Sequence, residues 1–484
     1  MFEKVKKWFL RGIDKMLSKS TVEEALKVKT AVSFEMEAAM NLWLKIFTNN
    51  APWLNEEVRS LQLGASIAEE FARLITLEMK SEVTGSTRAD YINQHYQKVL
   101  EDLKSELALF NAVGGGFFKP YVKANKFYID YIPQTDCKPL KFDSAGNITS
   151  MVFSSQITKG DKIYTRLETH TLQGTDYIIE NKVYVTESYN STMLGRISSL
   201  SEVTEWSELS EKTIIQNIER PLFAYYKVPL SNNIDTKSCL GPSVYHKAID
   251  SIRKADIQAS RLDYEYESAE RSVYADIEAI KNDGTGKPIR NKIVKTLNTD
   301  EDNFYKEFSP QLRDEGFIRG ENKIKQEIEF QCNLAYGTIS DPNTVDKTAT
   351  EINASKQRSY ASVSQMQNSL EKALKHLVYI LDVYCDLYEL APAGEYEVSA
   401  EWDDSIIVDT ESEQRIRLQE TNLGLGSKLD YLMWRYGLTE EQAQEKLDRI
   451  KQEKSENEIF SEEWYNVNSW NTFTRCRCSN SFIF

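Results

Sequence analysis

Between Ala349 and Leu390 no glycine or proline interrupts the chain. As one helix this stretch would span roughly 60 Å at 1.5 Å per residue, far longer than an average globular helix. Its apolar residues keep no sustained heptad, so a simple coiled coil does not explain the length. A short polar loop, Ala335 to Thr348, precedes it. Within that loop Gly337 permits backbone conformations that other residues avoid, and Pro342 stops a helix from running through. Thr338, Ser340, Asn343 and Thr344 favour side-chain-to-backbone bonds over helix continuation. A mobile, non-helical loop between two helices is therefore predicted. A long helix hinged on such a loop suits a structural machine better than an enzyme pocket.

The 484 residues suffice for two to four domains, and a 27% charged, 41% apolar composition is ordinary for a globular chain. A formal net charge of −15 argues against gripping nucleic acid by counterion release, but not against surrounding DNA without sticking to it. Cys137, Cys239, Cys332, Cys385, Cys476 and Cys478 form no disulfide framework, which points to a reducing compartment. No apolar run reaches the ~20 residues of a membrane span. Charges interrupt Phe2 to Met16, so no signal peptide forms there.

Along the chain, residues 1–19 place Phe2, Val5, Phe9, Ile13 and Met16 near one helical face, with Lys4, Lys6, Lys7 and Arg11 elsewhere. Such a helix could lie on a membrane surface or dock on its own domain or a neighbouring subunit, the commoner fate. Val58, Leu61, Leu63, Ile67, Phe71, Leu74, Ile75 and Met79 make an apolar stripe, predicting a helix over 56–82. Another is predicted over 87–112, stopped by Gly114-Gly115-Gly116. The period then becomes strand-like: 117–121, 126–132, 148–153, 162–170, 176–180 and 182–186 are aromatic and β-branched runs between turn signals. Leu240-Gly241-Pro242-Ser243 is read as opening a helix that runs to about Ser272, with Pro242 in its first turn. Residues 273–316 are mixed and turn-rich. A helix is expected from Phe317 to Tyr336, a strand from Glu395 to Asp409, and charged helices over 411–457 with a break at Gly424-Leu425-Gly426.

No catalytic or metal-binding constellation stands out. Gly284-Thr285-Gly286-Lys287-Pro288 fails as a phosphate loop, because Lys281 replaces the first glycine and Pro288 the hydroxyl residue after the lysine. Cys476-Arg477-Cys478 has no second pair of ligands, so no zinc site is expected. His95, His170, His246 and His376 are isolated in sequence, which makes a histidine triad a poor reading. Carboxylate pairs such as Asp403-Asp404 are what any acidic chain carries on solvated faces. No cofactor is implied.

Several segments, in order, resemble the portal proteins (head-to-tail connectors) of tailed phages that infect Gram-positive bacteria. Ala112 to Val122, with its three glycines, is similar to the family's helix–glycine–strand step into the wing. Gly241 to Asp250, with Ala255-Asp256, is similar to the opening before the first stem helix. Ala335 to Ile339 with Lys347 to Ile352 resembles the tunnel loop leading into a long kinked helix. Trp402 to Asp409 resembles the return strand before the crown. The resemblance covers about residues 20–455; the Trp- and Cys-containing tail departs from it.

The resemblance implies an α+β portal-type subunit: an α/β wing, paired stem helices, a small α/β clip, a long kinked helix and a helical crown. After the amphipathic helix at 1–19 it maps the wing to 20–240 and 391–409, and stem helices to 241–272 and 317–336. The clip maps to 273–316, the tunnel loop to 337–350, the long helix to 351–390, the crown to 410–457 and the tail to 458–484. It implies no enzyme activity but a ring, dodecameric in the virion, at one capsid vertex, assembled in the host cytoplasm. That ring would be the DNA translocation channel for genome packaging and ejection. Partners implied are copies of itself, double-stranded DNA held without sequence preference, the terminase large subunit, major capsid and scaffolding proteins, and a head-completion or adaptor protein; no membrane is involved. Channel residues would be Gly337, Thr338, Asp341, Asn343, Asp346 and Lys347, with Lys323 and Lys325 on the stem. Terminase docking would use Arg290, Lys292, Phe304 and Tyr305 on the clip. Ile249, Ile252, Ile257 and Leu262 would bury against neighbouring subunits. A dozen copies at −15 would carry about −180 formal charges, a wall on which a polyanion does not bind tightly. The competing readings are another phage structural protein, such as a minor capsid or adaptor component, and a carboxylate-dependent hydrolase, which would need two carboxylates converging in a pocket.

Overall fold

Serine hydroxyls start three of the first four described helices. Ser18 accepts from the Thr21 amide ahead of α1 (Lys19–Leu26), and Ser33 from Met36 ahead of α2 (Phe34–Phe47). Helix α3 (Leu63–Thr76) follows, then strand β1 (Met79–Thr84), then α4 (Thr87–Val113), where Ser86 accepts from Ala89. The computed structural model describes residues 17–77, 79–187, 194–268, 272–276, 294–297, 305–308, 311–342, 349–402 and 410–452; for 272–276, 294–297, 305–308, 349–350 and 410–413 this is the backbone alone. It is mixed α and β, and it divides into two units at Asp403/Asp404.

In the first unit, α4 is the organising helix. Ile92, Tyr96, Val99, Leu103, Leu107 and Phe110 recur every three or four residues and are buried. Gly114 ends it at φ +103, donating its amide to Phe110. Strands β2 (Gly115–Lys123) and β3 (Lys126–Pro133) leave as a hairpin, joined on the other side of β2 by a later strand, Ala224–Lys227. Strands β4 (Cys137–Phe142), β5 (Ile148–Lys159), β6 (Lys162–Gln173), β7 (Asp176–Thr186) and β8 (Arg196–Ser198) form an antiparallel meander, with β9 (Lys212–Ile215) also pairing β7. The strand Ala224–Lys227 is β10. Helix α1 lies on this meander, with Leu17 and Val22 packed against Val152, Leu167 and Tyr184.

Helix α5 (Ile249–Ser268) leads to a three-stranded sheet of β11 (Ser272–Asp276), β12 (Val294–Leu297) and β13 (Tyr305–Phe308); β11 lies between a parallel β12 and an antiparallel β13. The chain returns along α6 (Asp314–Cys332). Helices α5 and α6 are antiparallel neighbours. Arg313 grips Glu265 at one end, Nη2 to Oε2 at 2.6 Å and Nε to Oε1 at 2.9 Å, and Gly320 faces Gln258 further along. The root of α5 is fixed by buried Asp256, which accepts from Trp53 Nε1 and the Leu61 amide, both at 2.8 Å.

Helix α7 runs unbroken through 39 residues, Ala349–Leu387. Its second half is core: Met366, Leu370, Leu374, Leu377, Leu381 and Tyr384 are buried against α3, α4, β2 and β10. Buried Arg88 at the start of α4 closes the unit. It binds Asp382 and Asp386 of α7 and donates to the carbonyls of Ala391 and Pro392. The chain then forms β14 (Glu397–Trp402), antiparallel to β1.

In the second unit α8 (Thr410–Asn422) and α9 (Lys428–Tyr436) precede a helix over 440–452. Beyond the expected break at 424–426, Gly437 ends α9 at φ +62. No described helix is long and apolar enough to cross a membrane.

Several expectations need correction. Residues 17 and 18 are not helical and Ser18 caps a new helix, so none runs through to 19; residues 1–16 lie outside the described set. The helix expected over 56–82 is confined to 63–76, because Asn55 ties down the amides of Glu57 and Val58, and Met79 lies on β1 paired to Trp402. The runs 176–180 and 182–186 are one strand, β7. The first stem helix starts at Ile249 rather than at Pro242. Residues 241–246 are buried and their polar groups are committed elsewhere: Val244 N to Asn111 O, Tyr245 N to Ser243 Oγ, and Tyr245 OH to Trp43 O. The second starts at Asp314 and stops at Cys332, because Asn333 takes a left-handed conformation, φ +60. Ile252 is buried within its own subunit and cannot face a neighbour. Residues 403–409 and 453–484, including Cys476 and Cys478, lie outside the described set.

Candidate functional site

Strand alternation puts Arg166, Glu168 and His170 on one face of β6. There Glu168 accepts from Lys119 Nζ at 2.7 Å and Arg166 Nη2 at 3.0 Å through Oε2, and meets His170 Nε2 at 3.0 Å through Oε1. His170 Nδ1 lies 2.8 Å from the Tyr177 hydroxyl. An ionised carboxylate only accepts, so Nε2 carries the proton and Nδ1 accepts from Tyr177. The cations beside Glu168 overcome its burial and hold its pKa well down, while burial lowers that of His170 and raises that of Tyr177. Reading the histidines as isolated missed this acid–imidazole–hydroxyl series; the i, i+2, i+4 spacing on β6 was the signal. Its geometry is that of a pin rather than a nucleophile: His170 and Tyr177 are buried, and the imidazole packs against Phe153 and Phe223. The other histidines are set singly: His95 meets Tyr91 and Phe127 edge-on, His246 binds Ser243 O, and His376 binds Pro221 O with its pKa lowered by burial to about 4.

Among the described residues no cluster of His, Cys, Asp or Glu could hold a metal ion. A cleft between α1 and the meander, lined by Leu17, Val22, Asp136, Cys137 and Lys138 among others, has room for about one water.

The loop between α6 and α7 is built on Glu329. This carboxylate, wholly buried on the last turns of α6, accepts from the amides of Ile339 (2.8 Å) and Ser340 (2.9 Å) and from Ser340 Oγ (2.8 Å). Gly337 takes φ +86 and donates to Ser340 Oγ; Thr338 Oγ1 donates to Ala335 O at 2.6 Å. The Asp341 amide donates to Asn322 of α6, and the Tyr336 amide to Ser355 of α7. Residues 336–341 are thus tied to both flanking helices by hydrogen bonds. Arg358 of α7 lies over the rings of Phe330 and Tyr336, 4.7 and 5.8 Å from their centroids.

The structure therefore places Gly337 and Thr338 just beyond the end of α6 and Asp341 beside Asn322, near the middle of that helix. Lys325 pairs with Glu321 at 2.6 Å, whereas Lys323 is exposed on the same helix. Asn343, Asp346, Lys347, Arg290, Lys292 and Phe304 lie outside the described residues, and Tyr305 is described only as the first residue of β13. Glu329 and Arg358 were missed, since nothing in the sequence distinguishes them from the many other charges. No protein-family model matches this chain, and no curated protein shows significant similarity to it.

Proposed function

We propose that this chain is the subunit of a ring-forming phage portal, the conduit through which double-stranded DNA enters and leaves a capsid. The observation that supports this most is an order of parts. An antiparallel helix pair, α5 and α6, is interrupted by a small sheet, β11–β13, and followed by a pinned loop and the 39-residue α7. The chain then returns by β14 to pair with β1, and a separate helical unit follows. In this reading α5 and α6 are the stem, the three-stranded sheet is the clip that meets terminase and then the adaptor, and 337–348 face DNA. The net charge of −15 suits a channel wall that must not hold a polyanion.

With Ile252 inside the subunit, stem contacts between copies would fall to Leu312 and Ile318 near the start of α6 and to Tyr264 and Tyr266 on α5, all exposed. Contacts of this heterologous kind close into rings when the rotation allows. Native mass spectrometry and negative-stain microscopy of the full chain test the reading. Closed rings of about a dozen subunits are expected, and a monodisperse monomer at micromolar concentration overturns it.

A further inference from the structure

We propose that Glu329 and Arg358 form a two-state latch at the base of the 337–342 turn. In the state seen here Glu329 holds the turn's backbone; in the other it pairs with Arg358 and releases residues 339–341. Two observations lead there. Glu329 is a fully buried carboxylate whose three hydrogen bonds all come from neutral donors, the Ile339 and Ser340 amides and the Ser340 hydroxyl. Arg358 is a guanidinium whose Nε and Nη2 are covered by protein yet have no hydrogen-bond partner. Neither has an ion-pair partner among the described residues, and the two carry opposite signs. Covered ionic groups are ordinarily paired, because an unpaired one keeps its full desolvation cost.

Both groups adjoin the same short stretch of chain. Arg358 lies over Phe330, the residue after Glu329 in α6, and over Tyr336, where the turn begins. Ser355, on α7 three residues before Arg358, holds the Tyr336 amide. The two charges thus sit on the two helices that flank one loop, at the same turn. A guanidinium edge of Nε and Nη2 matches the two oxygens of a carboxylate. Oε1 already takes the Ile339 and Ser340 amides, so a bidentate pair with Arg358 competes with them for that oxygen. The freed amides would be satisfied by water once the turn lifts, which is what makes the second state accessible. The latch stands whether or not the loop faces a channel.

Hydrogen exchange of the full-length protein, read by mass spectrometry over a peptide spanning 334–342, distinguishes a latch from a brace. Arg358→Met removes the partner of the open state and the unpaired donors of the closed one, so amide exchange at 339–340 should slow by about fivefold or more. Arg358→Gln should do the same. If Arg358 merely braces Phe330 and Tyr336, its loss loosens the turn and exchange speeds up. Unchanged or faster exchange in either variant overturns the latch. So does a loss of protection that extends into 366–384, which would make Arg358 a structural residue.

Discussion

The contact between Gly114 and Gly241 is the closest backbone approach at the junction of α4, β2 and the lead-in to α5, and it can be tested with one methyl group. A Cβ on Gly114 would sit 2.2 Å from the Gly241 carbonyl oxygen, 2.8 Å from its carbon and 2.7 Å from Gln134 Nε2. Two of these are backbone atoms, so no rotamer relieves the clash. Holding alanine at φ +103 costs about 1–2 kcal/mol by itself. Separating the strands also stretches Val228 N to Gly114 O (3.1 Å), Gln134 Nε2 to Gly241 O (2.9 Å) and Gly241 N to Tyr225 OH (3.0 Å). Losing two of these buried bonds adds roughly 1–3 kcal/mol each. The total for Gly114→Ala is about 3–8 kcal/mol, a large part of a typical ~5–15 kcal/mol stability.

Gly146→Ala is the control, because Gly146 has φ +85 and nothing within 4 Å of its Cβ position. It should cost only the conformational ~1–2 kcal/mol. Urea unfolding followed by tryptophan fluorescence, with buried Trp43 as a reporter, measures both. Free energies for the two variants within about 1 kcal/mol of each other would refute the close-contact argument.

Arg88→Met should cost about 2–4 kcal/mol, because Asp382 and the carbonyls of Ala391 and Pro392 lose their donors, whereas exposed Asp386 contributes little. Limited proteolysis should then cut within 388–396, and Arg88→Lys should restore the protection only in part, lacking the planar fork. Glu106 has its pKa raised to about 7 by burial and by Asp102, against an ordinary value of 4.5. The folded state therefore binds the extra proton between those values, and stability falls as pH rises from about 4.5 to 7. Glu106→Gln should be roughly 2–3 kcal/mol more stable than the parent at pH 8 and equal to it at pH 4; equal midpoints at pH 8 would contradict this.

Elements whose burial is periodic along their own length were legible. The spacing of Ile92, Tyr96, Val99 and Leu103 with a glycine stop marks α4, and the Gly- and Pro-free run marks α7. Elements defined by distant partners were not. Met79 to Thr84 reads as the tail of a helix until β14, far along the chain, pairs with it. Residues 20–55 received no helices, although Ser18 and Ser33 are ordinary cap residues and Met36, Met40 and Trp43 share a face. The early start assigned to the first stem helix followed a sound local rule, proline in a first turn. That rule yields where Asn111 O of α4 claims the Val244 amide and the Ser243 hydroxyl claims that of Tyr245.

Two of the segments that carry the portal resemblance, 112–122 and 241–250, meet at Gly114 and Gly241. Gln134 bridges Val113 O and Gly241 O there, and Tyr225 OH donates to Gln134. Their glycines are demanded by backbone contact, so these motifs speak for a way of packing a helix–strand step against the root of a helix pair. A way of packing does not carry a function with it. The functional reading rests on the order of parts from α5 to β14, and the loop beyond α6 adds a separate observation. There a fully buried carboxylate organises the backbone, and the covered Nε and Nη2 of Arg358, over the neighbouring Phe330 ring, have no hydrogen-bond partner. A chain selected only for stability would replace such a pair with apolar residues of similar volume, a change that is often neutral or stabilising. A buried carboxylate held only by neutral donors and a guanidinium edge without hydrogen bonds, both set around one loop, make physical sense if that loop takes the two positions proposed for residues 337–342.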